Sequence, residues 1–242
     1  MTPFALNPAF AVTDETTLRA LFPATHTLAA LKALDRLDPH AQEFIRRAPF
    51  LCIGTQNAAG KADVSPRGDP AGFVRILDDR SLAIPDRPGN NRLDTQSNIL
   101  GNPNVGILFM VPGFDDTLRV NGVARLTTDP KVLAPMAVNN RTPTLAIVVQ
   151  VSEVFLHCAK AFRRSRLWDP TQHQDRKAMP SLLKMILDQT TGAPADAAEM
   201  QRIDQGLEEG GAFRLRHTFA LRQLRRGKSP EAVAQWLGVV EM

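Results

Sequence analysis

Residues 85–92 bring together side chains and backbone suited to binding an anion. Two arginines, Arg87 and Arg92, carry planar guanidinium groups that match a phosphate. Two asparagines, Asn90 and Asn91, can donate amide hydrogens, and the glycine before them lets the backbone approach a ligand closely. The N–H groups at the start of the helix expected next would add a partial positive charge. This segment therefore predicts a turn that binds phosphate.

A second cluster with the same chemistry, residues 65–69, lies about twenty residues upstream and contains Arg67. Both clusters follow apparent strands, so together they predict a phosphate held at the edge of a β-sheet. Two alternatives remain open. The asparagines could serve only the left-handed geometry of their turn. Arg67 and Arg92 could be surface arginines paired with acidic neighbours, namely Asp63, Asp69 or Asp94.

The elements that must position these clusters are predominantly strands. Seven apolar or alternating runs predict β-structure: residues 50–55, 61–65, 72–77, 81–85, 105–111, 117–126 and 145–156. Most of the turns between them are short, and only one or two helices intervene. This pattern favours a closed antiparallel barrel over a doubly wound sheet. The predicted fold class is therefore mainly β with α additions.

Helices are predicted on both sides of the barrel. N-cap residues and prolines predict helices over 13–22 and 38–48 before the strands, and shorter ones over 93–101 and from 129 within them. The polar region after residue 158 predicts helices over 181–189 and 195–207. These elements divide the chain into three parts: an N-terminal helical segment (1–48), a barrel core (49–158) and a C-terminal helical extension (159–242).

Composition describes an ordinary globular chain. Of the 242 residues, 43% are hydrophobic and 22% charged, and the net charge is +4; this mild excess fits an anionic ligand or attraction to polyanions. No apolar run approaches the ~18 residues of a membrane span, and the N-terminus does not have the pattern of a signal peptide. Cys52 and Cys158 lack metal-ligand spacing, as does His157 with His173, so we expect no metal site and a reducing cytoplasm.

The run from about residue 50 to 129 resembles the pyridoxamine 5′-phosphate oxidase superfamily, the FMN-binding split β-barrel. It is most similar to the branch of related FMN-binding proteins rather than to the vitamin B6 enzyme itself. The resemblance rests on the order and spacing of six segments: residues 65–69, 84–92, 98–103, 117–122, 157–161 and 164–168.

The resemblance implies roles for particular residues. Arg67 corresponds to the arginine that holds the flavin phosphate. Ile84 and Pro85 correspond to the strand end that presents its backbone to the flavin ring. Thr117 occupies the position of a glutamine that the partner subunit provides. Asn90, Asn91 and Arg92 replace the family's Ser-Arg-Lys turn, one residue longer and one cation poorer. The full set of implied cofactor-binding residues is Ser65, Arg67, Ile84, Pro85, Asn90, Asn91, Arg92, Thr117, Arg119, Arg166 and Trp168.

The implied protein is a homodimeric FMN oxidoreductase acting on a small molecule, with the flavin in a groove between subunits. The substrate-phosphate lysine of the vitamin B6 enzymes is not matched near Asp78, and the chain contains no tyrosine. The cofactor is therefore expected and the vitamin B6 substrate is not. No side chain stands out as a general acid or base, so no catalytic residue is predicted.

Alternatives of other classes stay open. A non-catalytic flavin or haem binder could use His157 as a ligand, although a histidine at a strand end is more often structural. Trp168 could stack near the flavin or anchor the C-terminal helices. Residues 225–239 resemble the first half of a helix-turn-helix, but the sequence ends where a recognition helix would begin. Nucleic-acid binding is therefore expected to be absent, and a basic tail packed on the barrel or a partner subunit is the simpler interpretation.

Overall fold

A computed structural model of the protein describes residues 4–89, 91–190, 198 and 200. The chain divides into two compact units. The first consists of Met1–Arg87 and Leu93–Trp168, and the second of Pro88–Arg92 and Asp169–Met242. Of the helix predicted over 195–207, only Ala198 and Met200 are described, and both are helical. The basic tail lies outside the described residues. The three-part division at residues 48 and 158 stays a prediction.

The first unit is built on seven strands in one antiparallel sheet, as the sequence predicted. The strands are β1 (Phe50–Gln56), β2 (Ala62–Gly68), β3 (Arg75–Asp78), β4 (Ser81–Pro85), β5 (Asn104–Met110), β6 (Thr117–Thr127) and β7 (Ala146–His157). Their order is β2-β1-β5-β6-β7-β4-β3. The end strands β2 and β3 form no ladder with each other among the described residues, so the barrel is split rather than closed by hydrogen bonds.

Alternation of apolar residues directs one face of the sheet inward. In β1, Leu51 and Ile53 are fully buried, and in β5 the same holds for Phe109, which pairs with Leu51. Because successive side chains in a strand point to opposite faces, the residues between them lie on the outer face. The inner face packs on α3 (Pro39–Arg47), whose Phe44 and Ile45 are buried.

Helix ends follow the capping rules of the sequence. Asp14 accepts a bond from Thr17 N at the start of α1 (Glu15–Ala20), and Asp38 accepts one from Ala41 N at the start of α3. The other helices of the first unit are α2 (Thr27–Leu31), α4 (Asp94–Gly101), α5 (Pro130–Leu133) and α6 (Lys160–Ser165). Sequence reasoning missed α2 and α6, each of which has fewer than seven residues and a weak apolar period.

Two strand boundaries differ from the predicted ones by three residues, and the other differences are of one residue. β2 runs to Gly68 rather than residue 65, so Arg67 lies inside the strand, opposite Leu51. Pro66 did not end the strand because β2 is at the edge of the sheet, where the missing N–H costs no ladder bond. β3 begins only at Arg75, because Gly72 has a φ of +86° and Phe73 N bonds to Pro70 O in a turn.

The second unit contains one regular α-helix among its described residues, α7 (Leu182–Gln189). Ser181 caps it by accepting a bond from Lys184 N. Leu183 and Leu187 are buried on one side, at the i, i+4 spacing of a helix face. This confirms the helix predicted over 181–189.

Candidate functional site

The side chain of Arg67 stands at the centre of the candidate site. Its Nη1 lies 3.6 Å from Oδ1 of Asp86, and the two side chains are 20% and 21% exposed. Its Nε is buried and has no hydrogen-bond partner among the described residues. A buried donor without an acceptor is unusual in a folded protein and costs about 1–3 kcal/mol. Arg67 therefore has an unused, inward-facing donor that an anionic oxygen could fill.

Asp86 is fixed from two directions. Its Oδ1 accepts a hydrogen bond of 2.7 Å from Nε2 of Gln96 on α4, and its backbone N donates to Leu145 O over 2.9 Å. Gln96 is only 7% exposed. The carboxylate that faces Arg67 is consequently held in place by α4, and it orients the guanidinium in turn.

A second ion pair joins Asp69, the residue that follows β2, to Arg87, the residue that follows Asp86. Arg87 Nε is 2.6 Å from Asp69 Oδ2, and both side chains are partly buried. The end of β2 and the loop that follows it are thus each joined by an ion pair to the segment after β4. Sequence reasoning offered Arg87 as a phosphate ligand; its Nε is instead engaged by Asp69.

The Asp69–Arg87 pair borders a pocket of about 210 Å³. Apolar side chains form much of its wall, including Phe73, Met136 and Val138, and Arg75 adds a second guanidinium. Ligand pockets for drug-sized molecules usually occupy ~300–1,000 Å³. This pocket could therefore take a small polar group but not a whole flavin.

The other predicted residues of the first unit are spread over the sheet. Ile84 is fully buried at the end of β4, so its backbone alone could face a ligand. Thr117 is buried at the start of β6, opposite His157. The Arg119 guanidinium lies 5.3 Å from the ring centre of Phe155. Ser65 is half-buried on β2. None of them takes part in the two ion pairs around Arg67 and Arg87.

The predicted residues of the second unit are Asn91 and Arg92. Asn91 is exposed and has a left-handed φ of 58°, as the alternative interpretation of its turn expected. Arg92 is exposed. Asn90 lies outside the described residues. Whether these residues bind a phosphate stays a prediction.

Trp168 has a contact that bears on its two possible roles. Its Nε1 donates to Phe114 O over 2.8 Å, and its ring lies 5.7 Å from that of Phe162 in α6. Arg166 ends α6 in the left-handed conformation. These contacts attach α6 to the turn after β5, and the predicted contact of Trp168 with a flavin stays a prediction.

Sequence reasoning missed the polar residues of α4. Gln96 supports Asp86, and Asn98 Nδ2 donates to Thr55 Oγ1 over 3.0 Å. The available signal was weak: Thr95, Gln96 and Ile99 form a buried helix face in which two of the three residues are polar. Buried polar side chains need partners, but the sequence alone does not say which.

The described residues contain neither a candidate metal site nor a candidate membrane-spanning helix. No group of three or more His, Cys, Asp or Glu side chains in this part of the chain could hold a metal ion. In the same part, none of the helices has the length and apolar character to cross a membrane.

Fold and site together define a split antiparallel barrel with a partly buried arginine suited to an anion. Residues 37–158, half of the chain, match the family model described as pyridoxamine 5′-phosphate oxidase. The chain therefore belongs to the pyridoxamine 5′-phosphate oxidase family, which confirms the resemblance inferred from its motifs. None of the curated proteins matches the sequence significantly.

Several solved structures are similar to part of the chain. HupZ from Group A Streptococcus is 17% identical over 49% of this chain and 92% of its own, with a TM-score of 0.42. A putative pyridoxamine 5′-phosphate oxidase from Lactobacillus delbrueckii is 20% identical over 50% of this chain and 95% of its own, with a TM-score of 0.40. HutZ from Vibrio cholerae, a heme storage protein, is 16% identical over 50% and 94%, with a TM-score of 0.36.

Proposed function

We propose that the protein binds FMN and that Arg67 holds the phosphate group of the cofactor. The observation that carries this proposal is the buried Nε of Arg67, which has no partner in the described part of the chain. A phosphate oxygen at this position would remove the cost of the unused donor and add a charge-assisted hydrogen bond, worth about 1.5–3 kcal/mol. Membership of a family whose fold binds flavin supports the same cofactor.

The residues present fit a phosphate, with one counteracting charge. Asp86 uses only one edge of the Arg67 guanidinium, at 3.6 Å, and the guanidinium has five N–H donors in total. A phosphate monoester carries about −1.5 to −2 charges near neutral pH. Arg67, already facing a carboxylate, does not balance that charge alone. Arg92, Asn90 and Asn91 are the residues that the sequence predicts for the remaining oxygens.

The bound flavin would supply hydride or two-electron transfer, with a small molecule or oxygen as the other reactant. The protein's own contribution would be binding, orientation and exclusion of water. We place the backbone of Ile84 and Pro85, with Thr117, along the ring system, as the family resemblance implies. No side chain is assigned as a general acid or base, so the proposal names no catalytic residue.

We further propose a homodimer that completes the flavin groove. The outer face of the sheet supports this, because it carries apolar side chains in register across β1 and β5. Phe50 pairs with Met110 and Cys52 with Leu108, and the charged Arg119 of β6 lies next to Leu108. Paired residues share one face of a sheet, so the four residues of β1 and β5 form a partly exposed apolar surface suited to a second copy.

Flavin binding is tested by removing the guanidinium. The purified protein should show flavin absorption or take up FMN when it is added. Arg67→Ala should weaken FMN binding about 10- to 100-fold, because a loss of 1.5–3 kcal/mol corresponds to that range. The matched control is Arg125→Ala, which removes an exposed arginine from β6. FMN affinity unchanged in Arg67→Ala would contradict the phosphate assignment.

Enzyme and binder are separated by turnover. Oxidation of a nicotinamide or deazaflavin donor by the FMN-loaded protein, with a small acceptor, would support the oxidoreductase. Stoichiometric flavin without turnover would favour a carrier or sensor. A Soret band in the purified protein would select haem in place of FMN.

A further inference from the structure

The N-terminal arm, residues 4–33, contains short helices and is exposed over its length, with Lys32 at its base in contact with the barrel. Every residue of the arm whose burial is described is exposed, including all of α1. The first buried residue of the described chain is Leu37. The arm nevertheless contains a 3₁₀ turn (Pro8–Phe10) and two helices. A helix shorter than ~12–15 residues is marginal in water by itself, so these helices need a surface to pack on.

The arm has a large apolar surface for such packing. Seven of its phenylalanine and leucine residues are between 62% and 90% exposed: Phe4, Leu6, Phe10, Leu21, Phe22, Leu28 and Leu31. Together they present on the order of 800 Å² of apolar side chain, taking ~150 Å² or more for each large side chain. A monomeric protein rarely exposes more than a few hundred Å² in one patch.

The apolar residues of each helix share one face. In and just after α1, Leu18, Leu21 and Phe22 follow the i, i+3, i+4 spacing of a helix stripe. In α2, Leu28 and Leu31 repeat the i, i+3 spacing. Arg19 pairs with Glu15 through a bond of 2.7 Å on another side of α1. The arm is therefore amphipathic, with its apolar side unpartnered among the described residues.

The base of the arm is firmly attached beside the outer face of the sheet. Leu34 and Val154 of β7 exchange two backbone hydrogen bonds, of 2.9 and 2.8 Å. Lys32 Nζ donates to Leu156 O over 2.8 Å and lies 5.1 Å from the ring centre of Phe155. Phe155 pairs with Arg119, which lies next to Leu108 on the same outer face. The arm consequently leaves the barrel at the edge of the surface proposed for the dimer.

We propose that the arm docks on a second copy of this chain, so that each subunit clasps its partner. The inference rests on the homodimer of the proposed function. The exposed apolar area matches the ~800 Å² that each partner contributes to a standard interface. Residues 4–33 carry two acidic residues, Asp14 and Glu15, and two basic ones, Arg19 and Lys32. An arm without excess positive charge is unsuited to an anionic membrane surface, and a self-complementary contact fits two-fold symmetry.

Photo-crosslinking in the full-length protein tests which surface covers the arm. With p-benzoylphenylalanine in place of Phe22, irradiation should join two chains and double the mass of the product. The same group in place of Thr16, on the opposite side of α1, should give several-fold less of that product. A crosslink confined within one chain would mean that the chain covers its own arm, and would overturn the proposal. Absence of any crosslink would overturn it as well.

A variant that introduces two negative charges on the apolar side of the arm tests the contribution of the arm to dimerisation. Leu21→Glu combined with Phe22→Glu should weaken dimerisation at least about 100-fold, measured by light scattering over a dilution series, while Thr16→Glu should leave it unchanged. Both variants alter exposed positions, so circular dichroism should be retained.

The flavin content per chain, read from absorption in the same samples, reports on the proposed cofactor separately. A double variant that stays dimeric would overturn the clasp and leave the homodimer and FMN proposals standing. A wild-type protein that is monomeric at every concentration but binds FMN would overturn both the clasp and the homodimer.

Discussion

At the level of single residues, Arg67 explains why the site uses a guanidinium. One edge of the planar group faces Asp86, while Nε is buried and has no hydrogen-bond acceptor among the residues that the structure describes. A lysine carries its N–H donors on one nitrogen atom, so it could not present separate edges to Asp86 and to a bound anion as a guanidinium does. The guanidinium can keep its carboxylate partner and still bind an anion on another edge. The Asp86 charge then opposes the anion, which makes Asp86 the residue that tunes affinity.

Asp86→Asn should therefore tighten FMN binding by about 3- to 10-fold, because it removes a negative charge close to the phosphate. This gain corresponds to roughly 1 kcal/mol, the scale of a partly exposed charge pair. The amide oxygen of asparagine can still accept the hydrogen bond from Gln96, so the local structure should persist. Fluorescence titration with FMN measures the change. Weaker binding would mean that Asp86 acts mainly by orienting Arg67.

The two cysteines should differ in reactivity. Burial raises the pKa of the Cys52 thiol, whereas Cys158 is exposed. Because the pKa of Cys52 is raised in the folded state, its thiolate forms only at a higher pH than in the unfolded chain. At pH 8, iodoacetamide should modify Cys158 about 10-fold or more faster than Cys52, since the thiolate is the nucleophile. Peptide mass spectrometry over time measures both rates.

In denaturant the two rates should become similar, which is the control for the cysteine experiment. The raised pKa has a consequence for stability too. The folded state retains the Cys52 proton as pH rises through the thiol range, so this contribution to stability is present at lower pH and is lost above it. Equal rates in the folded protein would contradict the burial of Cys52.

At the level of elements, the bulge between β6 and β7 depends on Gly122. The register shifts between Asn121 and Gly122, because Ser152 is inserted in β7 and its Oγ donates to Asn121 O over 3.1 Å. A Cβ on Gly122 would collide with the carbonyl oxygen of Gln150. Gly122→Ala should lower the free energy of unfolding by about 3 kcal/mol, since backbone atoms cannot move aside easily.

Urea denaturation measures the Gly122 effect, and Gly54→Ala is the matched control. Gly54 also lies in a central strand, but its added Cβ would meet the nearest atom, Gly106 O, at an ordinary 3.5 Å. The control should cost less than about 1 kcal/mol. Similar losses for the two variants would mean that the bulge relaxes.

The sequence predicted elements wherever a local rule decides the structure. Asp14 and Asp38 cap helices as expected, and apolar or alternating runs located all seven strands. The predicted end of a strand was wrong where contacts with other strands decide how far the strand extends. The extension of β2 past Pro66 depends on its being an edge strand, which only the sheet order reveals.

The candidate site was predicted in part. The sequence placed the clusters around Arg67 and residues 85–87 near each other because both follow apparent strands, and their shared phosphate site stays a prediction. The contacts in the structure, Arg67 with Asp86 and Arg87 with Asp69, pair opposite charges between the end of β2 and the segment after β4. Nothing in the sequence fixes which aspartate meets which arginine. The supporting role of Gln96 likewise depends on the placement of α4 against Asp86.

At the level of the whole molecule, the proposals concern two exposed features of the first unit. The outer sheet face and the N-terminal arm meet at β7, where Leu34 bonds to Val154. If a second copy covers both features, dimerisation and flavin binding become linked equilibria, because the proposed flavin groove is completed by the partner. Each FMN that binds must then strengthen dimerisation by the same factor by which dimerisation strengthens FMN binding at one site.

This linkage predicts that FMN affinity depends on protein concentration. Well below the dimer dissociation constant, FMN should bind at least about 10-fold more weakly than at concentrations where the dimer is filled. Saturating FMN should tighten the dimer by the square of that factor, because each dimer binds two FMN molecules. Quenching of FMN fluorescence at several chain concentrations measures the first effect, and light scattering with and without FMN measures the second. The Leu21→Glu, Phe22→Glu variant should show the weak affinity at concentrations where the wild type binds tightly. An FMN affinity independent of chain concentration, across a range in which the protein passes from monomer to dimer, would mean that one subunit alone forms the whole flavin site.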